Sequence, residues 1–146
     1  MGASDFLNKE QKTLVENAIR EAERNTSGEI RVHIETTIKG EVLDRAAYLF
    51  EYLGMHKTEK RNGVLFYLAI GNRQFAILGD AGINAKVPPD FWDQIKETMK
   101  DTFAQGKFAE GLSQGILTAG EQLKAHFPFE KNDVNELSDE ISFGKK

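Results

Sequence analysis

Residues 62–80 read NGVLFYLAIGNRQFAILGD, and the fold follows from how this stretch is divided. From Val64 to Ile70 no charged residue intervenes. A strand with one wet face alternates apolar and polar residues, so an unbroken apolar run indicates a strand covered on both sides. Gly71-Asn72 is then the signal of a two-residue hairpin loop. The apolar segment Gln74 to Leu78 is expected to return antiparallel, ending at Gly79-Asp80.

Upstream, Asn8 followed by Gln11 has the spacing of a helix N-cap and its capping-box partner. Leu14, Val15, Ala18, Ile19 and Ala22 then recur at helical spacing as one apolar stripe. Asn25-Thr26-Ser27-Gly28 ends that helix. Ile30, Val32 and Ile34 alternate with Arg31, His33 and Glu35, a strand with one wet or polar-paired face. A second helix after Gly40 turns Val42, Ala46, Leu49, Phe50 and Leu53 inward, and a basic loop runs from Gly54 to Gly63. Downstream, Pro89 suits the first position of a helix whose stripe is Phe91, Trp92, Ile95, Met99 and Phe103. A last helix carries Phe108, Leu112, Ile116, Ala119 and Leu123, and the spacing of Gly111, Gly115 and Gly120 indicates close packing on a neighbour. The order is α-β-α-β-β-α-α, an α/β fold. A strand–helix–strand unit crosses over right-handedly and makes the first two strands parallel, so three strands form a small mixed sheet covered by helices. Residues 1–127 are read as one domain and 128–146 as a polar tail, in which Ile141 and Phe143 either add a short edge strand or lie on the body.

The chain of 146 residues carries 23 acidic and 19 basic side chains, a net charge of −4. A mildly acidic domain has no broad attraction for nucleic acid or anionic membranes. Cysteine is absent, which excludes disulfides, thiol nucleophiles and zinc–thiolate sites. No apolar run is long enough for a membrane helix, and the N-terminus lacks the charge pattern of a signal peptide. A cytoplasmic monomer is the expectation.

The reversed third strand carries Asp80 to the edge where the first two strands begin. That edge is expected to gather Ser27, Gly28, Glu29, Asn62, Asp80, Gly82 and Asn84, with Asp90 returning on the next helix. Carboxylates, amides and carbonyls on glycine-rich loops suit a hard cation, calcium first and magnesium second. The candidate ligands are Glu29, Asp80, Asn84 and Asp90. The plainer alternative is that Asp80 and Asn84 serve their own turn and Asp90 complements the helix dipole. The EF-hand spacing is absent. His33, His56 and His126 are too scattered for a metal set and read as surface residues. Ser27 has no histidine nearby in sequence for a Ser/His/Asp arrangement. Lys57, Lys60 and Arg61 either meet an anion at the rim or are a solvated loop.

Asn62-Gly63-Val64-Leu65-Phe66-Tyr67-Leu68-Ala69-Ile70, Asn72-Arg73, Phe75 to Leu78 and Gly79 together resemble the TPM domain family, which includes thylakoid acid-phosphatase-like proteins of photosystem repair and many bacterial proteins. Phe103, Gly106, Phe108, Gly111 and Leu112 resemble a second motif of that family, and Thr26-Ser27-Gly28-Glu29 its first strand. The resemblance spans residues 5–127. It implies an α/β/α sandwich, divalent-cation binding usually discussed as calcium, and in plant members an acid phosphatase activity. Other members are accessory subunits without catalysis. The family's common loop is lengthened here to Gly79-Asp80-Ala81-Gly82-Ile83-Asn84, with Asn84 where a glutamate is typical. Two functions follow as expectations: a calcium-binding domain with weak phosphatase activity on a small phosphorylated ligand, or a non-catalytic module that docks a protein partner and whose ion, if any, is structural.

Overall fold

The second strand is the centre of the molecule. In the computed structural model, which describes residues 3–128 and 139–144, β2 (Gly63–Ala69) lies between β1 (Glu29–Glu35) and β3 (Gln74–Gly79), and all seven of its residues are buried. β1 is parallel to β2, in register from Glu29–Gly63 to Glu35–Ala69. β3 is antiparallel, from Val64–Gly79 to Ala69–Gln74. The tail adds β4 (Ser142–Phe143), parallel to β1, so the sheet has four strands in the order β3-β2-β1-β4. Ile141 is buried beside it, and of the two expected placements the edge strand is realised.

Alternation along each strand divides the core. Ile30, Val32, Ile34, Val64, Phe66, Leu68 and Ile77 face one layer built from α1 (Lys9–Glu23), α4 (Phe91–Ala104) and α5 (Phe108–His126). Leu65, Tyr67, Ala69 and Ala76 face α2 (Val42–Tyr52), which supplies Ala46, Leu49 and Phe50. Helices on both faces make an α/β/α sandwich. Burying one such Leu, Ile or Phe side chain contributes ~1.5–3 kcal/mol, which is why these positions dictate the fold.

Asn8 caps α1 through reciprocal 2.8 Å bonds with Gln11. Leu14, expected inward, is 45% exposed, because the stripe is narrower than its apolar residues. On α5 the glycines do permit close approach. A Cβ at Gly111 would strike Phe103, at Gly115 Met99, and at Gly120 Ala22 of α1.

Three boundaries differ from expectation. The β2–β3 connection is four residues long, a 3₁₀ turn Ile70–Asn72 followed by Arg73 at φ 53°. Gly71 is held there by a 2.6 Å bond from its N–H to the Thr36 carbonyl, a long-range contact that overrides the local hairpin signal. The acidic loop after Gly79 is a one-turn helix, α3 (Ala81–Asn84), with Asp80 as its N-cap. Finally, α4 begins at Phe91 rather than Pro89, with Asp90 at its cap position.

Candidate functional site

The topology brings the start of β1, the start of β2 and the end of β3 to one rim, as the antiparallel return of β3 demands. The Asp80 N–H donates to the Gly63 carbonyl at 2.9 Å, and the Glu29 N–H donates to the Asn62 carbonyl at 3.3 Å. Asn62, buried to 1% exposure, donates its side-chain amide to the Ser27 hydroxyl. Ser27, Glu29, Asn62 and Asp80 therefore share the rim. Asn84 lies beside them, donating its amide to the Gly79 carbonyl at 2.7 Å and accepting the indole N–H of Trp92 at 2.7 Å. Asp90 is exposed, and its carboxylate accepts from Gln94 at 2.8 Å.

On this rim the side-chain oxygens of Asp80 and Asn84 are engaged. Arg61 forks onto Asp80, Nε to Oδ2 at 2.7 Å and Nη2 to Oδ1 at 2.8 Å. Asp80 Oδ1 also accepts the Ala81 N–H at 2.8 Å. Burial would raise the Asp80 pKa, but the guanidinium, the backbone N–H and nearby His56 outweigh it and hold the carboxyl below its usual range. Asn84 has both ends of its amide bonded. Gly82 and Gly28 are packing positions: a Cβ at Gly82 would collide with the Lys60 carbonyl, and one at Gly28 with Leu123. Among the described residues no three His, Asp or Glu side chains are grouped as metal ligands. Of the four expected ligands, Asp80 and Asn84 are committed to bonds within the protein and Asp90 to Gln94.

A second polar constellation occupies the α2-facing side of β1. Arg45 forks onto Glu35 at 2.8 and 2.7 Å, and the Tyr67 hydroxyl donates to Glu35 at 2.6 Å. His33 is 5% exposed, not a surface residue. Its Nε2 lies 3.5 Å from Glu35, its Nδ1 lies 2.7 Å from the Ser142 hydroxyl, and its ring stacks on Tyr67. Burial, opposed by Arg45 and Tyr67 and overcome by them, leaves Glu35 with a pKa of about 2. Burial also lowers the His33 pKa, so the ring is neutral at pH 7. Seryl, imidazole and carboxylate groups stand in line here, but the carboxylate is saturated by Arg45 and Tyr67. Such a carboxylate is a poor base, and the set locks β4, β1, β2 and α2 together. The polar alternation of Arg31, His33 and Glu35 was the sequence signal; the identity of the partners was not in it.

At the start of β1 the charge balance reverses. Glu23, the last residue of α1, accepts the Ile30 N–H at 2.8 Å. Burial first, then its bond to Asp139 of the tail and the charges of Asp139 and Glu29, raise its pKa to about 9. Sequence reasoning passed over Glu23, although an acid in the last turn of a helix opposes the dipole and was a legible anomaly.

Comparison with known proteins places this geometry among relatives. The TPM domain family model matches residues 2–122. The NMR structure of BA42 protein from the psychrophilic bacterium Bizionia argentinensis is 47% identical, superposes with a TM-score of 0.88, and is matched over 95% of this chain and 96% of its own. The N-terminal domain of a P. gingivalis protein, 22% identical at TM-score 0.72, covers 86% of this chain and 83% of its own. A Corynebacterium glutamicum N-terminal domain, 14% identical at TM-score 0.65, covers 89% and 84%. These last two share the fold. No curated protein matches the chain.

Proposed function

The chain belongs to the TPM domain family, and from that membership and the chemistry of its rim we propose that it is a non-catalytic binding module that docks a protein partner. The observation that carries this reading is the Arg61–Asp80 fork. The one strongly buried carboxylate in the Gly79–Asn84 loop is neutralised by a guanidinium and a backbone N–H, leaving it neither a base nor an ion ligand. The fork holds the loop in shape, and the exposed Lys57 and Arg61 form the charged face presented outward. Phosphomonoesterase activity is not part of this reading. A generic aryl phosphate should show no turnover above buffer with calcium, magnesium or chelator present; turnover that Asp80→Ala abolishes would contradict the proposal.

A further inference from the structure

At the end of the sheet opposite the rim, a cavity of about 450 Å³ opens between the β2–β3 loop and the facing ends of α4 and α5. Small-molecule sites run from ~300 to 1,000 Å³, so this volume lies within the range for a compact ligand. Its walls are aromatic. Phe6, Phe75, Phe103 and Phe108 all line it, and each is only partly buried. Their rings form one connected set: Phe6 meets Phe108 edge-on at 4.9 Å, Phe103 meets Phe108 at 5.3 Å, and Phe75 meets Phe103 edge-on at 5.0 Å. Four adjacent phenylalanines gathered at one mouth, none fully covered, are an apolar surface of the kind that marks a ligand site.

The charge at the mouth has one sign. Arg73 and Lys100 are the only charged lining residues. Both are exposed, and neither forms an ion pair among the described residues. Lys96 adds a third cation, its Nζ 5.6 Å from the centre of the Phe75 ring. In a chain of net charge −4 this is a local inversion. Among the described residues Arg73 is also one of three non-glycine residues with positive φ, a conformation that costs free energy and concentrates at ligand clamps. Its planar fork matches a carboxylate in a way that a lysine ammonium does not.

We propose that this cavity binds a small aromatic carboxylate, the aromatic body lying among Phe6, Phe75, Phe103 and Phe108 and the carboxylate meeting Arg73 and Lys100. This goes beyond the reading of the rim and does not depend on it, since the two lie at opposite ends of the strands.

The probe is 1-naphthylacetate, with 1-naphthylacetamide as its uncharged analogue, titrated into the full chain and followed by amide chemical shifts. The acid should bind saturably, shifting signals of the Ile70–Phe75 and Lys100–Phe108 segments. Two exposed ion pairs together amount to about fivefold in affinity. The amide should therefore bind about fivefold more weakly than the acid, and Arg73→Ala combined with Lys100→Ala should remove that difference. Ala104→Trp, at an exposed lining position, should block both ligands while the amide spectrum outside the cavity keeps its folded dispersion. Absence of saturable binding at millimolar probe, equal affinity for acid and amide, or shifts clustered at the Glu29–Asp80 rim would each overturn the proposal.

Discussion

The two ends of β1 treat their carboxylates in opposite ways. At the C-terminal end Glu35 receives two bonds from Arg45 and one from Tyr67, and its pKa falls to about 2. At the N-terminal end Glu23 faces Asp139 and Glu29 in a partly buried setting, and its pKa rises to about 9. The same side chain is thus a fixed anion in one place and a held proton in the other. The difference teaches that acidity at this sheet is decided by whether an arginine reaches the carboxylate. Asp80, on the rim where β1 and β2 begin, follows Glu35 because Arg61 reaches it. No arginine is among the groups that set the acidity of Glu23, and its end of the strand is where a proton is held.

Removing the anion at the locked end should have the largest effect. Glu35→Gln leaves Arg45 and Tyr67 without their partner; breaking a buried ion pair costs ~3–5 kcal/mol. Because Arg45 is 37% exposed and can turn to water, about 2–3 kcal/mol is expected in urea unfolding. Tyr67→Phe removes one charge-assisted bond and should cost about 1.5–3 kcal/mol. If either change is neutral, the lock is ornamental and the comparison breaks.

The pH dependence separates the two ends by sign. Glu35 has a depressed pKa, so its contribution is present above about pH 4.5 and is lost as pH falls toward 2. Glu23 has a raised pKa. Between about 4.5 and 9 the unfolded chain has released this proton and the folded chain retains it, so stability falls as pH rises through that window. The slope from one such group is at most ~1.4 kcal/mol per pH unit. Glu23→Gln should flatten the fall measured between pH 5 and 8. A wild-type stability curve that rises over that range would place Glu23 among ordinary carboxylates.

At the rim the effects are smaller. Asp80→Ala removes the N-cap of α3 as well as the fork, and caps are worth ~1 kcal/mol. Arg61→Ala should lower the melting temperature less than Asp80→Ala does, since the guanidinium is exposed and Asp80 keeps its bond to the Ala81 N–H. The reverse order would mean that Arg61, not the cap, holds the loop.

Much of the scaffold was legible. The Asn8–Gln11 capping box, the alternation from Ile30 to Ile34 and the unbroken run after Gly63 each report a local rule, and local rules act within a few residues. The convergence of Asp80 with Glu29 and Asn62 was also legible, because the direction of a hairpin strand fixes which end its tip reaches. What lay hidden depends on partners far along the chain. The sequence around His33 indicates a surface residue, but its cover comes from Ser142, 109 positions away, and from Tyr67. The two-residue hairpin signal yields to the bond by which Thr36 holds Gly71. Arg61 belongs by sequence to a basic loop, and the backbone contact of Gly82 with the Arg61 carbonyl accompanies its fork onto Asp80.

The Asp80 carboxylate is committed to Arg61, and the central proposal is that it performs no chemistry. Hydrolysis of p-nitrophenyl phosphate by wild type, Arg61→Ala and Asp80→Ala, each with calcium, magnesium or chelator, tests it most directly. The account predicts that all three proteins give the buffer rate under every condition. Turnover by the wild type that disappears in Asp80→Ala, with the fold intact by circular dichroism, would contradict it.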